Sequence, residues 1–458
     1  MTAGTDRRLV SFYADDFTGG ASSMEVLAVA GVDTVMFLEA PDEQQLARFP
    51  DVQAIGIAGV ARSRSPKWMA ANLPTAFSTL RTFGAPVIHY KTCSTFDSSP
   101  EVGSIGAAIE IGRAALGHEW TALVVGAPAI GRYQAFGNLF AGLDGRMHRL
   151  DRHPVMRQHP ITPMNEADLG RHLAHQTDLK VGLVDLVAMK AGRATDVLHD
   201  EVEAGAKVVA IDVIDEETLQ RAGELIWAGE PPVFAVGSQG VEYALIEHWR
   251  ALGIIPDAPR LPPIPPSGPM LAVSGSCSAV TARQIGRAAD DGFHIVDLPT
   301  SHAVDPSAWD DVLSRGVREV VDTLRAGRDV LVTTARGPED PRVDSLRRAL
   351  AAAGGSEEAV NDRIGAGLGI LAGRVHDETA LRRVVIAGGD TSGHAMTALG
   401  ADALSVIAPL SPGVPLCRVH SDNRDVDGLE VALKGGQMGE IDFFSHARAP
   451  SPESLVRP

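Results

Sequence analysis

The sequence is poor in aromatics, cysteine and positive charge, and each shortage excludes something. Aromatic residues make up 5% of the 458-residue chain, while Gly 47 and Pro 29 are plentiful. That mix suits a turn-rich α/β protein better than an aromatic-rich sandwich. The three cysteines, Cys93, Cys277 and Cys417, lie far apart and form no CxxC pair. They cannot build a cysteine zinc site or a disulfide framework, so a reducing compartment is expected. Lys+Arg 41 against Asp+Glu 58 leaves a net charge of −17. A polyanion is repelled by that balance, which argues against a duplex-coating nucleic-acid protein. No uncharged apolar run approaches the roughly 18–20 residues that cross a bilayer. The opening MTAGTDRRLVSFYADD has no long apolar segment of the secretory kind. The expectation is a soluble, cytoplasmic protein without nucleic-acid or membrane partners.

What is present is a rhythm. Short β-rich runs occur at Leu9–Ala14, Thr34–Leu38, Val52–Ala58, Val87–Tyr90, Ala122–Gly126, Val181–Asp185, Val208–Val213 and Val233–Gly237. Stretches with helical spacing, such as Ala21–Ala30 and Ser104–Ala115, lie between them. Nearly continuous apolar strands alternating with helices predict a mainly parallel sheet covered on both faces. Seven prolines then fall between Pro256 and Pro269. Proline sustains neither a helix nor a central strand, so this stretch reads as a stiff linker. After it the alternation restarts at Met270–Ser274, His294–Leu298, Val330–Thr334, Val384–Ala387, Val406–Pro409 and Val431–Leu433. The predicted fold class is therefore α/β, with two domains, each a mainly parallel sheet flanked by helices, joined by a Pro-rich hinge. The expected boundaries are 1–253, a linker at 254–269, 270–446, and a frayed tail at 447–458. One segment, Arg146–Asp168, breaks the rhythm: it is long, basic and His/Pro-rich. A functional lid or assembly arm and a packed connector over the sheet edge both fit it.

Five motifs end strands, where open α/β sheets place ligands. Tyr13–Gly20 carries the diacid Asp15-Asp16, which can hold hydroxyls or a cation, or supply a general base. A helix cap is the blander reading of Asp16 or Thr18. Lys91–Pro100 packs a lysine, an aspartate and five hydroxyls into nine residues, a composition suited to a polyol or carboxylate. Such hydroxyls can equally satisfy their own backbone. Ser274–Ser278, Ala387–His394 and Lys434–Gly439 are small-residue turns of the sort that cradle phosphate. Three of them in one half of the chain make a nucleotide cradle, where any single one is weak. Neither GxxxxGK[ST] nor GxGxxG is present; Gly126–Tyr133, GAPAIGRY, is the nearest miss, and Gly365–Gly369 belongs to a small-residue helix. The histidines His148, His153 and His159 fit no tight metal set.

Taken in order, YADDFTGG, KTCSTFDSSPEVGSIG, HPITPMNEADL, VSGSCSAVTARQI, AGGDTSGHAM and LKGGQMG resemble the four-carbon acid sugar kinase family, which includes kinases of 3-oxo-tetronate, threonate and erythronate. The resemblance runs from Leu9 to about Phe444. It implies an N-terminal sugar-acid domain, a C-terminal nucleotide domain, and ATP with Mg²⁺ as cofactors. Carried over by position, it implies a catalytic base at Asp16 and substrate contacts at Asp15, Arg64, Lys91, Ser94 and Asp97. ATP would lie against Ser276, Gly388, Gly389, Asp390, Thr391 and Gly436, and no set of protein metal ligands is assigned. Two positions depart from the pattern. Val60–Ser65 offers both Arg62 and Arg64 where one arginine is usual, with Arg64 favoured, and Ser238-Gln239-Gly240 has Gln where a small residue is common. The implied reaction is phosphorylation of the C4 hydroxyl of a four-carbon acid sugar in carbohydrate catabolism. Separately, the irregular 146–168 arm suggests a homodimer. The competing readings are a silent sugar-acid or nucleotide sensor and, more remotely, a nicotinamide-linked dehydrogenase, which the missing GxGxxG disfavours.

Overall fold

The structure is a computed structural model that describes residues 8–143, 145–159, 161–256 and 264–450, apart from the side chain of Asp390. The chain divides into two compact units, Met1–Pro259 and Arg260–Pro458. The proline stretch meets that division, although its residues 257–263 lie outside the described ones.

In the N-terminal unit the strands are β1 (Val10–Ala14), β2 (Thr34–Phe37), β3 (Ala54–Ala58), β4 (Val87–Lys91) and β5 (Thr121–Val124). A small antiparallel sheet follows, made of β6 (Arg132–Ala135), β7 (Asn138–Leu143) and β8 (Arg146–Arg149). The main sheet then resumes with β9 (Val181–Val184), β10 (Val208–Ile211) and β11 (Val233–Gly237). Its order is β2-β3-β1-β4-β11-β5-β10-β9, and every pairing is parallel. β1, β4 and β11 are buried along their whole length, as runs such as VSFYA and VFAVG require when helices cover both faces. From β1 the chain goes to β2 and β3 on one side, and β4 lies on the other. The carboxyl ends of β1 and β4 thus form a topological switch point.

The C-terminal unit repeats the plan. Its strands are β12 (Leu271–Ser274), β13 (His294–Asp297), β14 (Val330–Thr333), β15 (Arg383–Ala387), β16 (Ala403–Ser411), β17 (Val414–His420) and β18 (Glu430–Lys434). The order β13-β14-β12-β15-β18-β17-β16 again places the first strand between the third and the fourth. β13 to β18 through β15 pair in parallel, whereas β17 runs antiparallel to β18 and to β16. The apolar core on one face gathers Ile285, Val385, Ala432, Phe443 and Phe444.

Three features depart from the expectation. β6, β7 and β8 form a sheet where no strand was expected, because their half-buried positions leave no clean alternation to read. The arm continues through two short 3₁₀ turns, and buried Met156 and Met164 tie it down. β16 is longer than the expected Val406–Pro409 and turns at Pro412-Gly413 into β17, a strand signalled by that dipeptide and overlooked. Finally, the helix Phe443–Arg448 carries packed chain past 446: Ala447 is buried and Arg448 pairs with Asp329 at 2.8 Å. The rest of the expected tail, 451–458, lies outside the described residues. The GAGLG run does fall within a helix, Glu357–Thr379.

Candidate active site and nucleotide cradle

At the β1/β4 switch point the diacid is clamped by an arginine. Arg62, on the 3₁₀ turn Ala61–Ser63 after β3, donates through Nη2 to Asp15 Oδ1 at 2.6 Å and through Nε to Asp15 Oδ2 at 3.2 Å. The same Nη2 stands 2.6 Å from Asp16 Oδ1. Backbone bonds fix the clamp, since Asp15 N–H donates to Lys91 O and Arg62 N–H to Asp15 O, each at 2.9 Å. Burial pushes the Asp15 carboxyl up against the pull of Arg62. For Arg62, burial works against the charge, but Asp15 and Asp16 outweigh it and hold the guanidinium above its ordinary value. Asp15 is buried, whereas the Asp16 side chain is 24% exposed. Of the two carboxylates, Asp16 can therefore meet an incoming molecule. It also accepts from Gly19 N–H at 3.0 Å and caps the helix Phe17–Val29, so the capping and functional readings of Asp16 coexist.

Arg64, the favoured arginine of the pair, lies elsewhere. Its guanidinium sits 5.9 Å from the centroid of the Trp68 ring, and its carbonyl accepts from Gly103 N–H at 2.9 Å. Arg62 stands on the 3₁₀ turn and Arg64 caps it two positions on, and Arg62 is the one that donates to the diacid.

Lys91 ends β4 almost wholly buried and donates to Thr92 O at 2.8 Å. A Cβ built on Gly19 would stand 2.3 Å from Asp16 Oδ1 and 2.9 Å from Lys91 Nζ, so glycine is required where diacid, lysine and helix converge. Asp97 accepts from Thr95 Oγ1 at 2.6 Å and from Thr162 Oγ1 at 3.3 Å. Burial raises its pKa, but Arg62 and the Thr95 and Cys93 hydrogen bonds outweigh it, and the carboxyl sits below its usual range. Burial pushes the neighbouring Cys93 thiol up to about 11. Ser94 is half-buried on the same loop. Ser98 is held by His172 Nε2 and Gln176 Nε2, both at 2.9 Å, and burial lowers the His172 pKa to about 4. Gln239 reaches the Ser22 hydroxyl at 3.0 Å. Thr162, His172 and Gln176 were not singled out by the sequence; the HPITP run that delivers Thr162 belongs to the motif HPITPMNEADL of the resemblance, without a role for any one of its residues.

In the C-terminal unit the equivalent switch point lies between β12 and β15. Ser276 is buried in the turn before the helix Ala279–Asp290, and its Oγ accepts from Ser278 N–H at 3.3 Å. Gly388, at φ 133°, enters the helix Gly389–Leu399, and no β-carbon is tolerated there. A Cβ on Gly388 would stand 2.7 Å from Thr391 Oγ1, one on Gly275 2.2 Å from the same atom, and one on Gly436 2.7 Å from Ser276 Oγ. The structure thus brings Ser276, Gly388, Thr391 and Gly436 together, with Gly389 beginning the helix. The Asp390 side chain lies outside what is described. Cys277, the exposed cysteine, sits in this turn. Lys434, beneath the Gly435–Gly439 loop, was missed as a single residue within its motif. Among the described residues no group of three or more His, Cys, Asp or Glu side chains forms a metal-holding cluster. No helix among them is long and apolar enough to cross a membrane.

A sugar-binding N-terminal domain model matches residues 10–245, and a nucleotide-binding C-terminal domain model matches residues 271–444. The 3-oxo-isoapionate kinase of Paraburkholderia graminis is 46% identical over 442 residues, 96% of this chain and 94% of that protein. The 3-oxo-tetronate kinase of Cupriavidus necator is 32% identical over 459 residues, with 98% of each chain covered. The chain belongs to the four-carbon acid sugar kinase family. As a member of that family it is a transferase of the kinase type, with an alcohol group as acceptor. Two solved structures share the family fold. One, a putative tRNA synthase from Salmonella typhimurium LT2, has a TM-score of 0.79 at 23% identity and covers 96% of this chain and 98% of that one. A Haemophilus influenzae protein has a TM-score of 0.72 at 24% identity, covering 96% and 99%.

Proposed function

We propose that this kinase uses ATP to phosphorylate the terminal hydroxyl of a 3-oxo sugar acid. The observation that carries the reading is the Asp15–Arg62–Asp16 clamp at the β1/β4 switch point, with Asp16 the less buried of the two acids. In this reading Asp16 takes the proton from the hydroxyl as it attacks the γ-phosphoryl group, while Asp15 holds Arg62 in place. Lys91 supplies the cationic counterpart of the substrate carboxylate, which a chain of charge −17 otherwise repels. Ser94 and Asp97 address its hydroxyls. Arg62 replaces Arg64 as the arginine of the acceptor pocket.

The nucleotide lies against Ser276, Gly388, Gly389, Thr391 and Gly436, with Asp390 on the same turn. Hydroxyls, glycines and backbone amides suit phosphate oxygens. Such a donor set fits Mg²⁺ carried in by the nucleotide, since Mg²⁺ keeps several waters and needs only one or two carboxylates besides phosphate. The ion would neutralise charge on the transferring group.

The names of both relatives support a 3-oxo acid, and the 46% identity favours 3-oxo-isoapionate over the four-carbon acids, with 3-oxo-tetronate next. A coupled ADP-release assay with Mg-ATP tests this against 3-oxo-isoapionate, 3-oxo-tetronate, threonate and erythronate. Turnover of a 3-oxo acid alone is the expected result. Silence on every acid would sink the reading. The same proposal includes a cytoplasmic homodimer. Met147, Val155 and Ile161 are exposed apolar side chains of the 146–168 arm, with Phe136 exposed on the hairpin before it, and light scattering on the purified chain should return twice the monomer mass.

A further inference from the structure

The C-terminal unit buries a lysine that meets only neutral partners. Lys434, the last residue of β18, is 0% exposed. Its Nζ donates to Thr281 Oγ1 at 3.1 Å and to Gly435 O at 3.0 Å, and it lies 5.9 Å from the centroid of the Phe443 ring. Among the described residues no carboxylate pairs with it. A buried ammonium held by neutral acceptors is costly, so its retention asks for a use.

The use is visible in the next two peptides. Lys434 draws the Gly435 carbonyl inward. The Gly436 carbonyl is drawn in as well, accepting from Thr281 Oγ1 at 2.8 Å and from Ser278 Oγ. In a trans peptide the N–H points opposite to the carbonyl before it. Two successive carbonyls turned inward therefore leave the Gly436 and Gln437 N–H groups turned outward. Neither donates to a described residue. Ser276 Oγ closes on Gly436 from the side its Cβ would occupy, and Gln437 is exposed. Adjacent outward amides form a concave anion site.

We propose that Lys434 is a positioning residue: through Thr281 and the two inward carbonyls it presents the Gly436 and Gln437 amides as an oxyanion-binding pair for a phosphate group of the nucleotide. The proposal rests on the nucleotide reading given above and adds to it the group that shapes the loop. Lys434 itself stays beneath the loop and places a positive charge under the phosphate.

That charge is conditional. Burial alone lowers the Lys434 pKa to about 8. The described titratable groups of the packed elements are Arg283, Arg287 and Asp290 on the helix Ala279–Asp290, His394 on the helix Gly389–Leu399, Cys417, Arg418 and His420 on β17, His446 and Arg448 on the last helix, and Arg383 and Glu430 at the far ends of β15 and β18. None of them contributes to its shift. Gln284, the other polar group nearby, spends its Nε2 on the carbonyls of Met438, Gly439 and Glu440. Among the described residues a bound polyphosphate would be the first anion to act on Lys434, and binding above pH 8 would draw a proton onto it.

Calorimetric titration of the full chain with Mg-ATP, without acceptor and in two buffers of different ionisation enthalpy, reads this directly. Wild type should take up a fraction of a proton per nucleotide near pH 8.5, and its affinity should fall as pH rises from 8 to 9.5. In Lys434→Met, affinity at pH 7.5 should drop about 10-fold or more and proton uptake should vanish. Its melting temperature should hold or rise, because a buried unpaired charge has gone. Thr281→Val, which keeps the lysine but removes the hydroxyl between it and the Gly436 carbonyl, should also weaken binding. Wild-type affinity in folded Lys434→Met, or proton uptake that persists in it, overturns the proposal. Should Lys434→Met fail to fold, unchanged affinity in Thr281→Val combined with no uptake in wild type overturns it. Absence of nucleotide binding by wild type at every pH overturns the nucleotide reading itself, and this inference with it.

Discussion

The two units each end a buried strand with a lysine that donates to the carbonyl of the residue following it: Lys91 to Thr92 and Lys434 to Gly435. The surroundings differ. Lys91 lies among charges, with Asp15 and Glu242 both feeling its field and Gly19 packed against its ammonium. Lys434 has a hydroxyl, a carbonyl and an aromatic ring. The same device in a charged setting sits beside a clamped diacid, the pocket proposed above for the acid substrate. In a neutral setting it gives a loop whose charge, in the proposal above, responds to what binds.

That contrast can be broken at several points. The largest effect belongs to Asp16→Asn, for which kcat should fall about 10²–10⁴-fold while acceptor still binds. Turnover near wild type would remove Asp16 as the base. Next is Arg62→Ala, which leaves Asp15 buried without its partner and should cost about 3–5 kcal/mol of stability. Arg64→Ala, tested beside it by urea denaturation, should cost less than about 1.5 kcal/mol. Equal losses would mean that the clamp is not special. A matched pair of glycine substitutions then sharpens the division of labour. Gly19→Ala forces its Cβ onto Asp16 and Lys91 and should cost ~10²-fold in kcat/KM for the acceptor. Gly275→Ala pushes on Thr391 and should raise the KM for ATP about 10-fold. Crossed effects would contradict the assignment of the two units.

The last effect is confined to acid. His172, with its pKa lowered to about 4 by burial, is neutral in the folded unit and titrates near 6.5 once unfolded. Its folded value is the lower one, so the stability it contributes is full above pH 6.5 and is lost as pH falls toward 4. The slope is at most about 1.4 kcal/mol per pH unit. His172→Gln should flatten that limb of a pH–stability curve, and an unchanged limb would assign the acid sensitivity to other groups.

Much of this was legible beforehand. Parallel strands buried on both faces announce themselves as continuous apolar runs, and YADD, KTCST, SGSCS and GGDTSG could be put at the carboxyl ends of strands because each follows such a run; the strand order that makes these ends switch points came from the structure. What stayed hidden was set by geometry that sequence spacing does not carry. Arg62 and Arg64 are equivalent in a string of letters, and only the 3₁₀ turn at Ala61–Ser63 separates them. The sheet at 132–149 is half-exposed on a small platform, so neither a period of two nor an apolar run betrays it. Thr162 reaches Asp97 across 65 residues of chain. Lys434 reads as one more strand-ending polar residue until its burial is known; EVALK running directly into two glycines was the available hint.

Cys277 lies between Ser276 and Ser278, inside the loop that the nucleotide reading assigns to phosphate, and of the three thiols it alone is exposed. Burial of its sulfur and the nearby Asp340 raise its pKa, so alkylation will be slow at neutral pH and faster in mild alkali. A fluorophore tethered there would work as a built-in occupancy gauge. It would report nucleotide arrival from the C-terminal domain alone, without any acceptor, coupling enzyme or turnover.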